Sequence, residues 1–412
     1  MKRFFSALFL LTFYVLTVSA RNIIYDSNVK SLVVTVNQQW MSPPVMIMGN
    51  GDRLNISFDE LSHTYHRYIY KVEHCEADWT VSTQLFESDY MTGFNNNPID
   101  DYQNSINTTV LYTHYKLTIP NEQCRLTMSG NYRLTIYDED NDGKMVLQAE
   151  FMIVEPRMTV GLEVSTNTDI DINDSHQQLS MSLNYNGISV TNINEQIRTV
   201  VMQNNDESTS RWNLRPNLIN NKGLAWQHNR DLIFKAGNEY HKFEALDVSH
   251  PTLGIDYMRW DGHNFNAYLF PDEVSRNYLT DVDADGAFFI RNSDNSEIDY
   301  TCEYLYIHYK LKAPRLSNGD MYVEGQWTTD NDIETYKMEY DATDGSYNVA
   351  LLQKQGYYNY RYVVRKEGAA PYLSPYEGSY FQTENRYQAY VYYKPTGGRT
   401  WLLLGFREII LK

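Results

Sequence analysis

Within six residues, "HCEADW" sets His74, Cys75, Glu76 and Asp78 beside Trp79. These types allow three chemistries: a cation site, an armed thiol, or a plain strand end. Neighbours in a strand point to opposite faces. His74, Glu76 and Asp78 therefore share a side only if the strand runs on to Asp78. Cys75, Ala77 and Trp79 then take the other side, so Cys75 cannot join such a cation site. Zinc sites draw paired ligands from two places, and this cluster offers one. The expected reading is a packed strand end that buries Cys75 and Trp79, with Asp78 capping the following turn.

A second constellation is "DVDADGAFFIR", with Asp281, Asp283, Asp285 and Gly286 spaced as in the start of a calcium loop. An EF-hand needs a bidentate Glu at its twelfth position, which here is Asn292, and helices on both sides. "AFFIR" reads as a strand, so a hairpin tip is expected. No nucleophile elbow, phosphate loop, metalloprotease helix or dinucleotide fingerprint occurs. Carboxylates number 52, so some pair lies close by chance and no glycosidase follows from that. No catalytic residue, cofactor or metal ligand is assigned, and the chain is not expected to be an enzyme.

The elements that carry these residues are strands. Alternation and short apolar runs dominate, broken by Gly, Asn, Asp and Pro, while helical periodicity is nearly absent. Tyrosine supports this: 35 residues against 16 Phe, and Tyr suits a pleated surface with its ring packed and its hydroxyl wet. With 412 residues, the chain exceeds one ordinary core. The expected class is all-β, with several antiparallel immunoglobulin-like or early-set sandwiches in series. The N-terminal sandwich is placed at 21–157, a middle β domain at 158–292 and an early-set-like sandwich at 293–412. "GNYRLTIYD", "EDNDGK" and "MVLQAEFMIVEP" read as a hairpin (130–156). Cys75, Trp79 and Cys124 follow the immunoglobulin order, but Glu122 stands where that fold has its corner tyrosine. "YTHYKLTIP" and "YIHYKLKAP" repeat once.

"MKRFFSALFLLTFYVLTVSA" (1–20) reads as a secretory signal peptide, with Lys2 and Arg3, an apolar run and Val18-Ser19-Ala20 as the cleavage signal. No later segment is apolar enough to span a membrane. The formal charge of −17 argues against nucleic acid as a partner. Three cysteines exclude a fully paired framework. Cys75–Cys124 can form one bridge, which the sequence does not decide, and three thiols or one incidental pair is the expectation.

"MYVEGQW" before "DGSYNVALLQKQGYYNYRYVV" resembles early-set sandwiches, including starch- and glycogen-binding modules. That resemblance implies Trp327, Tyr358 and Tyr360 as sugar-stacking rings, and a carbohydrate-binding protein as the alternative function. A scaffold sandwich is favoured over it.

The longest resemblance begins at "YKVEHCEADWTVSTQLFESDYMTGFNNNPIDDYQNSINTTVLYTHYKLTIPN". It resembles the type IX secretion system plug protein family of Bacteroidota. The matching residues are His74-Cys75, Asp78-Trp79, Gly93-Phe94, Asp101-Tyr102, Ser105, Asn107-Thr108, Tyr112 and His114-Tyr115. "DVDADGAFFIR", "QKQGYYNYRYVV" and "YVYYKPTGGR" follow in family order. The resemblance implies an exported, non-enzymatic stopper associated with the outer membrane. It would close the periplasmic mouth of the translocon barrel, its partner, when no cargo is engaged. No small-molecule ligand is expected. His74, Cys75, Asp78, Trp79, Gly93, Tyr102, His114 and Tyr115 are expected to be structural family marks. Phe86, Tyr90, Phe94 and Tyr102, on the long 86–102 segment, are the expected partner contacts.

Overall fold

The computed structural model describes residues 22–411. The expected signal peptide lies outside them. Strands dominate, and the few helices are single turns. Among the described residues, no helix is long and apolar enough to cross a membrane.

The first sandwich pairs two sheets. One holds Tyr68–Cys75, Gly130–Asp138 and Lys144–Val154, with the short strands Ile23–Ile24, Val45–Ile47 and Asn97–Pro98 at its margins. The other runs Val29–Val36, Leu54–Glu60, Thr113–Ile119, Asp101–Asn104. Between them pack Phe58, Tyr70, Tyr115, Tyr132, Leu134 and Phe151. The alternation places them there, since residues two apart share a face. The expected hairpin is present: Asp138 pairs with Lys144, and Asp142 and Gly143 take the positive φ of the turn.

The remaining strands do not all pair within the linear blocks 158–292 and 293–412, since several sheets draw on both. Thr159–Ser165, His176–Asn184, Gly223–Trp226 and Leu218–Asn220 form one sheet. The facing sheet is Asp206–Trp212, Ile197–Gln203, Asn385–Tyr393, Leu402–Leu411. The last two strands of the chain thus return to complete the middle sandwich, around Leu179, Met181, Trp226, Phe234, Tyr387 and Leu404. The third sandwich is inserted between its halves. It runs from His241–Ala245 to Tyr372–Leu373, with Gly356–Arg365 bonded to strands on both its edges. Its core holds Phe243, Ile307, Tyr309, Trp327, Tyr358 and Tyr360. Alternation marks where strands are. It does not encode which distant strand supplies the partner.

Both copies of the Tyr-x-His-Tyr-Lys-Leu repeat are inner strands, one in the first sandwich and one in the third. Tyr115 and Tyr309 point into the cores, and the preceding histidines take the opposite faces.

Candidate functional site

The strand bearing His74 ends at Cys75, and a turn follows, closed by Glu76 N–H to the Thr80 carbonyl at 2.8 Å. His74, Glu76 and Asp78 therefore share no strand face. The His74 ring is buried, with Nε2 3.2 Å from the Ser129 carbonyl and Nδ1 2.9 Å from Ser82 Oγ. A carbonyl only accepts, so Nε2 carries the proton and Nδ1 accepts from Ser82. Burial holds the imidazole below its ordinary pKa. Burial also pushes the Cys75 thiol up to about 12, and all three cysteines are free. Asp78 Oδ1 accepts from the Thr80 hydroxyl at 2.7 Å, the turn cap expected of it. Among the described residues no cluster of three metal-binding side chains forms.

This strand end is a joint. Cys75, Ala77 and Trp79 pack with Val200, Met202, Tyr390, Tyr392, Trp401 and Leu403 of the middle sandwich in one small core. Polar contacts fix the register. Glu76 Oε2 accepts from Trp401 N–H at 3.2 Å, and Tyr392 donates to Asn131 Oδ1 at 2.9 Å. The Arg198 guanidinium lies 4.6 Å over the Trp401 ring and 3.9 Å from Asp78 Oδ2. Trp79 holds φ +64 in this turn, a left-handed conformation unusual for a bulky residue and maintained here by the packing around it.

The second family motif makes the joint to the third sandwich. Asp59, fully buried, accepts from Lys354 Nζ and from the Tyr304 hydroxyl, each at 2.7 Å. His114 Nδ1 lies 2.5 Å from its other oxygen. Lys354, 1% exposed, sits 4.1 Å over the Tyr112 ring and also donates to the Asp299 carbonyl at 2.7 Å. Tyr112 donates to the Cys302 carbonyl at 2.8 Å. Burial alone would raise the Asp59 carboxyl, but Lys354 and His114 outweigh it and hold the group below its ordinary value.

The third joint ties the inserted sandwich to its host. Arg386 Nε meets Asp285 Oδ2 at 2.6 Å, and Arg361 bridges Asp206 and Glu324. The crossing segments are bonded as well. Gln177 donates to the Phe381 and Thr383 carbonyls at 2.9 and 2.8 Å, and Asn385 donates to the Ala236 carbonyl at 2.8 Å. "DVDADG" is not a hairpin tip, nor do its carboxylates converge. It is the bonded approach to strand Phe288–Ile290, with Asp281 on Lys242, Asp283 on Tyr240 N–H and Asp285 on Arg386.

Of the expected partner contacts, Phe86 is 75% exposed and Phe94 58%. Tyr102 is also exposed, with its ring 4.7 Å from that of Tyr65. Tyr90 leaves the set. It is 5% exposed, lies in the first core, and donates to the Val72 carbonyl at 3.2 Å. Trp327, Tyr358 and Tyr360 are core residues, and the Trp327 indole donates to the Asn359 carbonyl at 2.8 Å. In this fold they offer no face to a sugar. Asp59, Lys354, Tyr304, Arg198 and Trp401 carried no local sequence signal, since each matters through a partner far along the chain.

The model of the type 9 secretion system plug protein 1st domain family matches residues 29–155, the first sandwich. The chain is similar to the crystal structure of a hypothetical protein from Parabacteroides merdae ATCC 43184. The two are 36% identical, with 96% of this chain and 100% of that chain covered and a TM-score of 0.92. A collagen adhesin from S. aureus aligns over 95% of this chain and 96% of its own at 11% identity, with a TM-score of 0.11 that carries no argument. No curated protein matches the chain. A TM-score of 0.92 over nearly the whole length means that the three sandwiches keep one mutual placement in both proteins. With the motif residues lodged at its joints, the first sandwich, residues 29–155, belongs to the type 9 secretion system plug protein 1st domain family.

Proposed function

We propose that this protein is a non-enzymatic periplasmic stopper. It closes the periplasmic opening of the type IX secretion outer-membrane translocon barrel while no cargo is engaged. One observation carries the reading: family motifs weld three sandwiches to one another through buried cores and ion pairs rather than through free linkers. Obstruction of a wide pore needs a broad body that does not flex. A polar, acidic exterior, at a formal charge of −17 for the whole sequence, suits a wet and reversible interface. Phe86, Phe94 and Tyr102, exposed on one segment of the first sandwich, are the apolar anchors proposed for the barrel rim.

Affinity isolation of the barrel tests this. The native chain is expected with cargo-free barrel and depleted from cargo-loaded barrel. The double variant Phe86→Ser/Phe94→Ser, with an unchanged melting temperature, is expected to be reduced in the first fraction. Absence of the native chain from cargo-free barrel contradicts the reading.

A further inference from the structure

One margin of the middle sandwich is a small hairpin. Leu218–Asn220 turns through Asn221 and Lys222 into Gly223–Trp226, with Leu218 opposite Ala225 and Ile219 opposite Leu224. Leu218–Asn220 is the last strand of its sheet, and among the described residues no strand pairs with its outer edge. The root of the hairpin is fixed. The Trp226 indole donates to the Leu214 carbonyl at 2.7 Å. Asn217 Nδ2 donates to the Gln227 carbonyl at 2.6 Å, and Gln227 N–H donates back to Asn217 Oδ1 at 2.8 Å. The edge is therefore held extended before anything binds it, which lowers the ordering cost of an added strand.

Its side chains do not protect it. Natural edges are blunted by charge, by proline or by a cover, and Leu218–Asn220 itself carries neither charge nor proline. Leu218 is 57% exposed and Ile219 61%, and the two point to opposite faces of the strand. The charges stand beside the edge. Arg215 before it and Lys222 after it are exposed, and neither has an acidic partner within salt-bridge distance among the described residues. From Arg211 to Lys235 the chain holds five Lys or Arg and one Asp, a formal +4 in a chain of −17.

That combination selects among occupants. A second copy would bring the same positive segment against itself, and like charges across an interface are costly. A bilayer would leave the free backbone N–H and C=O groups of the edge without partners in an apolar medium. An extended acidic peptide satisfies every feature: its backbone pairs with the edge, its apolar side chains cover Leu218 and Ile219, and its carboxylates meet Arg215 and Lys222. We propose that Leu218–Asn220 accepts, by strand addition, an extended polypeptide segment with an apolar centre and acidic flanks. The proposal does not rest on barrel closure, since this edge belongs to the middle sandwich and the rim anchors belong to the first.

Fluorescence anisotropy with the purified full chain tests it. The probe is a labelled, blocked Glu-Glu-Val-Thr-Val-Glu-Glu peptide. It is compared with the same peptide carrying lysine in place of glutamate, and with an acidic version N-methylated at Val-Thr-Val, which keeps the charge and removes the backbone donors. Saturable binding of the acidic peptide is expected. It should weaken about tenfold in the lysine peptide, on N-methylation, and in the Arg215→Glu/Lys222→Glu variant. Both substituted side chains are exposed, so that variant is expected to keep its melting temperature. Phosphatidylglycerol vesicles and sedimentation velocity of the chain alone probe the other two occupants. Absence of acidic-peptide binding at millimolar concentration, equal binding of either comparison peptide, or undiminished binding by the charge variant overturns the proposal. Vesicle binding without peptide binding, or a dimer abolished by Leu218→Ser/Ile219→Ser, assigns the edge to a lipid surface or a second copy and also overturns it.

Discussion

Burial holds the His74 imidazole neutral and pushes the thiols of Cys75, Cys124 and Cys302 each up to about 12. A buried, protonated thiol is a poor nucleophile. A thiol reagent is therefore expected to label none of the three in the native protein at neutral pH and all three in denaturant. Rapid native labelling of Cys75 contradicts the packing described. Trp79 works through shape. Trp79→Ala empties the core it shares with Met202 and Tyr390 and is expected to cost about 3–5 kcal/mol, read by denaturant unfolding. Lys354→Met leaves Asp59 buried without its main counter-ion and is expected to cost a similar ~3–5 kcal/mol. His74, Cys75 and Trp79 stood out in the sequence, and they lie buried at the end of strand Tyr68–Cys75 and in the turn after it. Their destination was not legible, because Glu76 meets Trp401 across 325 residues.

Alternation of side chains marked most strands of the first sandwich, since burial of one face forces a period of two. Turn chemistry marked its hairpin. Strand partners were not marked. Asn385–Tyr393 looks like a local hairpin arm, and it is one, yet its other edge pairs with Ile197–Gln203. Register of that kind is set by the fit of whole faces, which no short window contains. Gly93 is an element-scale exception that is readable from the backbone. Its φ is +113, and a Cβ there would lie 1.9 Å from the Gln123 carbonyl oxygen, across the ladder to Cys124. Gly143, at φ +68, has nothing within 4 Å of such a Cβ. Thermal melts are expected to show Gly93→Ala losing roughly 1–3 kcal/mol more than Gly143→Ala, which bears only the left-handed strain of about 1–2 kcal/mol. Equal losses would mean that the ladder yields at no cost.

For the whole molecule, the joints matter more than any one sandwich. The Asp59 carboxyl titrates lower in the folded chain than in the unfolded one. Its contribution is therefore present above the unfolded value and is lost as pH falls toward the folded value. The melting temperature is expected to drop steeply below about pH 4. The Asp59→Asn/Lys354→Met double variant should show a shallower acid slope, and an identical slope removes this joint from the acid response. Rigidity across all three sandwiches underlies the proposed obstruction of a pore. The most direct measurement is uptake of a large dye across the outer membrane of the host. In cells lacking this protein, increased uptake is expected. The native chain should restore the barrier, and an equally abundant Trp79→Ala/Lys354→Met variant should not. Unchanged uptake on deletion, or full restoration by the variant with broken joints, contradicts it.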